Sequence, residues 1–444
     1  MDQARNTKLT QVGPGTPGGA VMRQFWQPIA LVEEFDPAVN PAMHLRPLKA
    51  VRALGQDFVL FKDIKQGADT YALLDRHCAH RGADLAFARF ETDGDHVGIR
   101  CPFHGWKYAG DGTCLETPAE PTGSTLCQRV RQGSYPTAVH AGVVFAWLGS
   151  AGNAPPLFPK LDCYQAAATH SFAFKGLWQC NWLQAFEVGI DPAHPSFLHR
   201  FLHDVDLDDT GSNAAGKQFR SAAAGQVAGE RWPMSRVMRE LCQPEIQVAP
   251  KDYGMQLTAL RALNPTSEQA KVTHTRTHTR ITHAVFPHTF IIPLSETLSI
   301  TQMHLPVDDT HTYWYSIFTS TGEAIDHAAM REQRVRHTHL PDYSPKSGQH
   351  NQWGFNAAEQ QSRTYLGMGE DDINVHDQWA VEGMGAIQDR TAEHLGASDI
   401  AIAHYRRWLL NAMSLLEAQP CTPLAEVAAQ GALAAAPQTF DGFR

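Results

Sequence analysis

The residues predict an α+β protein in two parts. An all-β module spans 20–160, an α+β domain with an antiparallel sheet flanked by helices spans 161–420, and a tail runs over 421–444. Three observations predict it. Short apolar stretches broken by turn signals fill the first part. A linker-like run, Ala151-Gly152-Asn153-Ala154-Pro155-Pro156, follows them. Beyond it, helical patterns and longer strand patterns share the rest of the chain, as in an α+β domain.

Taken in order, Lys49–Leu54, Phe58–Phe61, Tyr71–Leu74 and Val143–Leu148 are the strands of the first part. Ala109-Gly110-Asp111-Gly112-Thr113 is a hairpin turn, because Asp-Gly tolerates positive φ. In the second part Asn181–His199 reads as helix with local breaks at Pro192 and Pro195. Thr273–Arg280 alternates strictly, as a strand does, and Phe290–Thr301 and Thr312–Thr319 are further strands. Asn374–Gln388 and Ser398–Glu417 read as helices, and the tail after Pro420 is Ala-rich and weakly patterned.

Composition narrows the function. At about 100–200 residues per domain, 444 residues suit two or three domains. The formal charge of −9 argues against a general nucleic-acid binder. No apolar run approaches the roughly 18 residues of a membrane span. Met1 to Pro17 is polar and lacks an apolar signal core, so a soluble cytoplasmic protein is expected. Eight cysteines are too few for a disulfide scaffold, and a cytosolic chain keeps them reduced.

Two of those cysteines stand at ligand spacing, each with a neighbouring histidine. Cys78-Ala79-His80 is followed by Cys101-Pro102-Phe103-His104. Two thiolates and two imidazoles suit either a tetrahedral zinc site or a Rieske [2Fe–2S] centre, where two cysteines hold one iron and two histidines the other. The surroundings favour the second. Each pair is one Cys with one His, and Arg81-Gly82-Ala83 and Gly105-Trp106 place both on tight loops. Backbone N–H groups there can approach the cluster sulfurs. Cys114 and Cys127 fall outside the pattern and read as structural.

A second constellation is Asp191-Pro192-Ala193-His194-Pro195-Ser196-Phe197-Leu198-His199. Two neutral imidazoles close in sequence can hold one divalent ion. A mononuclear Fe(II) oxygenase needs two histidines and a carboxylate on one face, with positions left open for O₂ and substrate. The carboxylate must come from far along the chain. Candidates are Asp377, in Asn374-Val375-His376-Asp377-Gln378-Trp379, and Asp389, which heads an Asp-Arg-Thr run and reads as a helix cap.

Together with Phe25-Trp26-Gln27-Pro28 and Cys180-Asn181-Trp182-Leu183-Gln184-Ala185-Phe186-Glu187, these blocks resemble the Rieske non-haem iron oxygenases over nearly the whole chain. The resemblance is to the α (oxygenase) subunit of the phthalate 4,5-dioxygenase-like branch. It departs at Glu33–Lys49 and after Pro420, away from every candidate ligand. It implies a [2Fe–2S] cluster on Cys78, His80, Cys101 and His104 and mononuclear Fe(II) on His194, His199 and Asp377. It also implies a homotrimer in which Asp191 bridges His194 to the partner subunit's His104, and there Glu187 would lie one helical turn from Asp191 and help tune the site. Its alternative is an ordinary, partly exposed helix residue. A separate NAD(P)H-dependent flavin and [2Fe–2S] reductase is implied, since no nicotinamide fingerprint is present. The acidic surface would suit docking it, and Trp26 with the loops at His80 and His104 would form the subunit interface. The implied reaction is mono- or dioxygenation of a substituted aromatic carboxylate or aryl ether. O- or N-demethylation and natural-product hydroxylation are alternatives on the same scaffold. An electron-transfer Rieske protein and a zinc-stabilised binding module are more distant ones.

Other polar residues have plainer readings. Glu116, Glu120, Asp208 and Asp209 suit solvated loops, and Pro306–Thr312 a turn between strands. His274 and His278 share one sheet face, with His283 just beyond, and read as exposed strand positions, with a pocket lining as the alternative. Arg220, Arg231, Arg236, Arg239, Arg261, Arg276 and Arg280 are the pool from which a carboxylate clamp would be drawn.

Overall fold

The computed structural model describes residues 1–65, 68–93, 96–149, 154–203, 223–227, 230–263, 277–369, 372–420, 424 and 438–443. The first part is all β, as expected. A three-stranded sheet joins Trp26–Leu31, Val143–Trp147 and Thr137–His140. A four-stranded sheet joins Leu48–Ala53, Gln56–Lys65, Ala68–Asp75 and Ser134–Tyr135, and a second joins Arg89–Asp93, His96–Arg100, Lys107–Ala109 and Cys114–Glu116. The predicted Asp-Gly hairpin connects the last two strands, with Gly112 at φ +83°.

The second part is an eight-stranded antiparallel sheet with helices against it. Its strands run in the order Ser171–Trp178, Thr312–Ser320, Leu298–Pro306, Thr289–Pro293, Thr277–Val285, Gly254–Ala262 and Glu245–Lys251. The eighth is the C-terminal strand Phe440–Phe443, which pairs with His278–Ile281. The short strand Thr289–Pro293 covers only His283–Val285 of the same edge, so the tail fills the remainder. The weak pattern of the tail hid this strand, because half of its four residues are Asp and Gly.

Several expected boundaries shift. Asn181–His199 is a helix Trp182–Gly189 and a single turn Pro195–Leu198, broken by a capped loop at Asp191. Phe290–Thr301 is two strands, parted by a turn in which Ser295 Oγ accepts from the Thr297 and Leu298 amides. The helix from Asn374 ends at Glu382, and the last long helix is Ile400–Ala418. No helix begins at Asp389, whose carboxylate instead caps a turn by accepting from the Thr391 amide and hydroxyl. The Pro306–Thr312 turn forms as read, with Asp308 accepting from the Thr310 amide and His311 Nδ1. His278 is fully buried, not exposed, because its strand is interior to the sheet, and His283 is buried beside Tyr253. Asp208, Asp209, Arg220, His274, Arg276 and the Arg231 side chain lie outside the described residues.

One core runs through the eight-stranded sheet, the N-terminal helices and the three-stranded sheet, while a smaller one surrounds Cys78 and Cys101. A buried charge cluster ties the two parts together. Glu34 of the first part accepts from Lys49 and, at 2.6 Å, from Lys175 of the large sheet. The Lys175 ammonium also faces the rings of Tyr313, Tyr343 and Tyr315. Burial pushes Lys175 down to about 8, while the two lysines outweigh burial at Glu34 and hold it below the usual carboxylate range. Trp26 is committed within the chain: its indole donates to the Pro156 carbonyl and packs against Phe158. Among the described residues, no helix is long and apolar enough to cross a membrane.

Candidate active site

The Cys78–His80 and Cys101–His104 pairs sit on two loops with matching backbone closure. The Gly82 amide donates to the Cys78 carbonyl and the Cys78 amide to Ala83. Likewise the Gly105 amide donates to the Cys101 carbonyl and the Cys101 amide to Trp106. Gly82 and Gly105 both take φ +76°, where an L side chain is strained. A Cβ on Gly105 would also lie 2.8 Å from Pro118. The closure turns His80 and His104 toward each other, ring centroids 4.7 Å apart, with His80 stacked on Trp106. Both thiols are buried, and the Tyr108 hydroxyl is 3.1 Å from Cys78 Sγ. Burial, with Cys78 close by, raises the Cys101 thiol despite the amides of Phe103 and His104. Two sulfur ligands are thus held in the core and two imidazoles at its rim. That donor set suits a cluster with one thiolate-bound and one imidazole-bound iron.

The second site grows from the helix Trp182–Gly189. Asn181 caps it, accepting from the Leu183 amide, and its own amide donates to Thr10 and Asp309 carbonyls. The helix stops at Gly189, where a Cβ would meet the Phe290 ring at 1.9 Å. Asp191 Oδ1 then accepts from the Ala193 amide, and Pro195 opens the turn Pro195–Leu198. His194 and His199 flank that turn, their ring centroids 5.2 Å apart and their planes at 81°. Asp377 arrives in the first turn of Asn374–Glu382. Its Oδ1 is 3.2 Å from His199 Nε2 and 3.7 Å from His194 Nε2. Among the described residues, His194, His199 and Asp377 converge, one ligand atom from each, within 4.8 Å. Asp389 is exposed and not part of this convergence.

The local electrostatics fit a cation. Burial pushes the Asp377 carboxyl up to about 6 and lowers His194, even with Asp191 and Asp377 beside it. Asp377 Oδ1 is buried without a hydrogen bond. His194 Nδ1 donates to the Asp191 main-chain carbonyl at 2.7 Å, which leaves its lone pair on Nε2. The Asp191 carboxylate, expected to take that proton, stands 3.8 Å away and caps the loop. The His194 lone pair and the Asp377 carboxylate therefore face one point beside His199 Nε2, an arrangement that repels itself until a divalent ion joins them.

Glu187 is neither partly exposed nor at this point. It is buried, and its carboxylate accepts from Arg406 at 2.6 and 2.8 Å and from Arg390 at 3.2 Å. Asp191 lies past the end of the helix, so the two do not share a helical face. Sequence reasoning missed His376, whose Nδ1 is 3.2 Å from His199 Nδ1. Its place beside Asp377 was the available signal. It also missed Asp441, which pairs with Arg280 at 2.9 Å directly across the strands.

A cleft of about 850 Å³, open mouth included, leads to His194, His199 and Asp377. Val188, Ile190, Leu257, Phe290, Ile292 and Ile300 line it, and Arg280, Thr282, Gln302 and Asn374 add polar groups. Of the arginines considered, Arg280 lines the cleft, Arg261 is buried with a bond to the Pro192 carbonyl, and Arg236 pairs with Glu230 and Glu240.

Comparison with known proteins identifies the family of both parts of the chain. Residues 25–136 match the Rieske [2Fe–2S] domain family, and 146–429 the family described as LigXa C-terminal domain like. The chain is 29% identical to the phthalate 4,5-dioxygenase oxygenase subunit of Pseudomonas putida, covering 93% of this chain and 86% of the relative. It is 27% identical to the 3-chlorobenzoate-3,4-dioxygenase oxygenase subunit of Comamonas testosteroni, covering 94% and 90%. Among solved structures it resembles NdmB of Pseudomonas putida CBB5, with a TM-score of 0.58 and 17% identity over 95% of this chain and 97% of that one. The chain belongs to the Rieske non-haem iron oxygenases, as an oxygenase (α) subunit with a [2Fe–2S] domain and a mononuclear iron domain.

Proposed function

We propose that this subunit oxygenates a substituted aromatic carboxylate or aryl ether, with electrons from a separate NAD(P)H-dependent reductase. The convergence of His194, His199 and Asp377 at the end of an apolar cleft carries the reading. In it, Cys78, His80, Cys101 and His104 hold the cluster, and His194, His199 and Asp377 hold Fe(II). When bound, the cluster supplies single electrons and the iron supplies reductive activation of O₂. The chain's own residues do the rest. The Asp191 carbonyl fixes the His194 ring, and the apolar walls orient a flat substrate and exclude water. Arg280 sets a polar wall, already paired with Asp441. In this reading the cluster sits on the first part of the chain and the iron on the second, and a neighbouring chain brings the two cofactors together. A head-to-tail trimer does this, with Asp191 accepting an N–H from the partner subunit's His104. Asp191 is partly exposed, as that role requires.

The test is a single turnover. The purified, chemically reduced protein is given a panel of aromatic acids and aryl ethers with isotope-labelled O₂, and the products are weighed. A labelled hydroxylated product supports the reading, and its mass separates one inserted oxygen from two. Loss of a methyl group would point to demethylation. No product from fully iron-loaded protein would overturn the substrate class.

A further inference from the structure

We propose that His376 is a positioning residue for the mononuclear metal, fixing the tautomer and ring plane of His199 through one imidazole–imidazole hydrogen bond. The inference rests on reading His194, His199 and Asp377 as the metal ligands.

The Gly369 carbonyl can only accept, and His376 Nε2 lies 2.9 Å from it. His376 Nε2 therefore carries its proton. A neutral imidazole has one N–H, so His376 Nδ1 holds a lone pair. His199 Nδ1, 3.2 Å away, must then donate to it. That leaves the His199 lone pair on Nε2, the atom facing Asp377. The tautomer able to bind a metal is thus imposed by a carbonyl, relayed through a second ring. The two rings lie within 25° of parallel, centroids 5.4 Å apart. His376 is 1% exposed, which leaves little room for water to compete for the bond.

The arrangement divides the labour unequally. His194 is oriented by the carbonyl of its own loop, three residues back. His199 ends its turn and takes its support from 177 residues away in sequence. Because His376 and Asp377 are adjacent on one helix, that helix delivers a ligand and the orienting partner of another. A neutral acceptor also adds no charge, so Asp377 stays the one anionic ligand among the described residues of the site.

The test uses the full-length holoprotein and reads the metal, not turnover alone. His376→Leu removes the acceptor at similar bulk, and His376→Phe repeats the test should the Leu variant lose its cluster absorbance. His376→Gln restores an amide oxygen for His199 and an amide N–H for Gly369. His199→Ala checks the underlying reading. The Fe(II) dissociation constant is measured by chelator competition, with the EPR spectrum of the Fe(II)–nitric oxide adduct alongside. The acceptor-free variants are expected to bind Fe(II) about 10–100-fold more weakly, with an altered EPR line shape and an unchanged cluster spectrum. His376→Gln should recover most of the affinity and the line shape. Wild-type affinity and line shape in the acceptor-free variants would overturn the inference, as would a Gln variant no better than Leu. If His199→Ala keeps its full mononuclear iron, the reading of the site fails, and the inference with it.

Discussion

Replacing Glu187 by alanine should destabilise the second part of the chain sharply while leaving its iron in place. Glu187 is the shared acceptor of two buried guanidinium groups. Without it, Arg406 keeps Glu393, whereas Arg390, fully buried, keeps a 3.3 Å contact to Asn6 Oδ1. Removing one partner of a buried ion pair costs roughly 3–5 kcal/mol, because the other charge stays behind without compensation. At about 2–4 °C per kcal/mol for a domain of this size, the melting temperature should fall by roughly 6–20 °C. The assay is thermal unfolding followed by far-ultraviolet circular dichroism, with cluster absorbance as a separate probe. Glu187 does not line the cleft, so iron content in the folded fraction should match wild type. A fall under about 2 °C would refute the ion-pair reasoning. Iron loss at an unchanged melting temperature would instead return Glu187 to the metal site.

Further outcomes follow from other buried groups. Glu34 has a folded pKa below the ordinary carboxylate value, so its contribution is complete at neutral pH and is lost as pH falls through the lowered value. Glu34→Gln should lower stability at pH 7 and flatten the acid limb of a denaturation-versus-pH curve. Burial depresses His288 to about 4 and His304 to about 3, against about 6.5 unfolded. The unfolded chain takes up protons first, so stability should decline from pH 6.5 downward. His304→Gln should lessen that decline in urea titrations. Asp441→Asn leaves Arg280 and His278 without their carboxylate and should raise KM for substrate more than it lowers kcat, since Arg280 lines the cleft. Asp191→Asn should keep the cluster and the iron yet slow oxidation of the reduced cluster during a rapid-mix turnover, if Asp191 is the bridge between subunits.

Much of the chemistry was legible because it depends on short spacings. Cys78-x-His80, Cys101-x-x-His104 and the Asp191–His199 run each lie within one loop or turn, so local geometry brings their side chains together. Asp377 needed the family resemblance, since nothing local links a residue in the helix Asn374–Glu382 to His199. What stayed hidden was set by tertiary contact. The Glu187 pairing depends on Arg390 and Arg406, more than 200 residues away. Asp441 meets Arg280 only because a short neighbouring strand leaves an edge for the tail to fill. His278 looked exposed because a strictly alternating polar strand resembles an edge, whereas the tail strand that pairs with it, with Phe443 packed against its ring, comes from more than 160 residues along the chain.

The most direct measurement is iron per chain in wild type and in Asp377→Ala, taken with the visible spectrum of the cluster. Wild type should hold about three irons, two in the cluster and one at the mononuclear site. Asp377→Ala should hold about two, with the Rieske spectrum intact and single-turnover product abolished. An unchanged iron count with retained turnover in that variant would contradict the account.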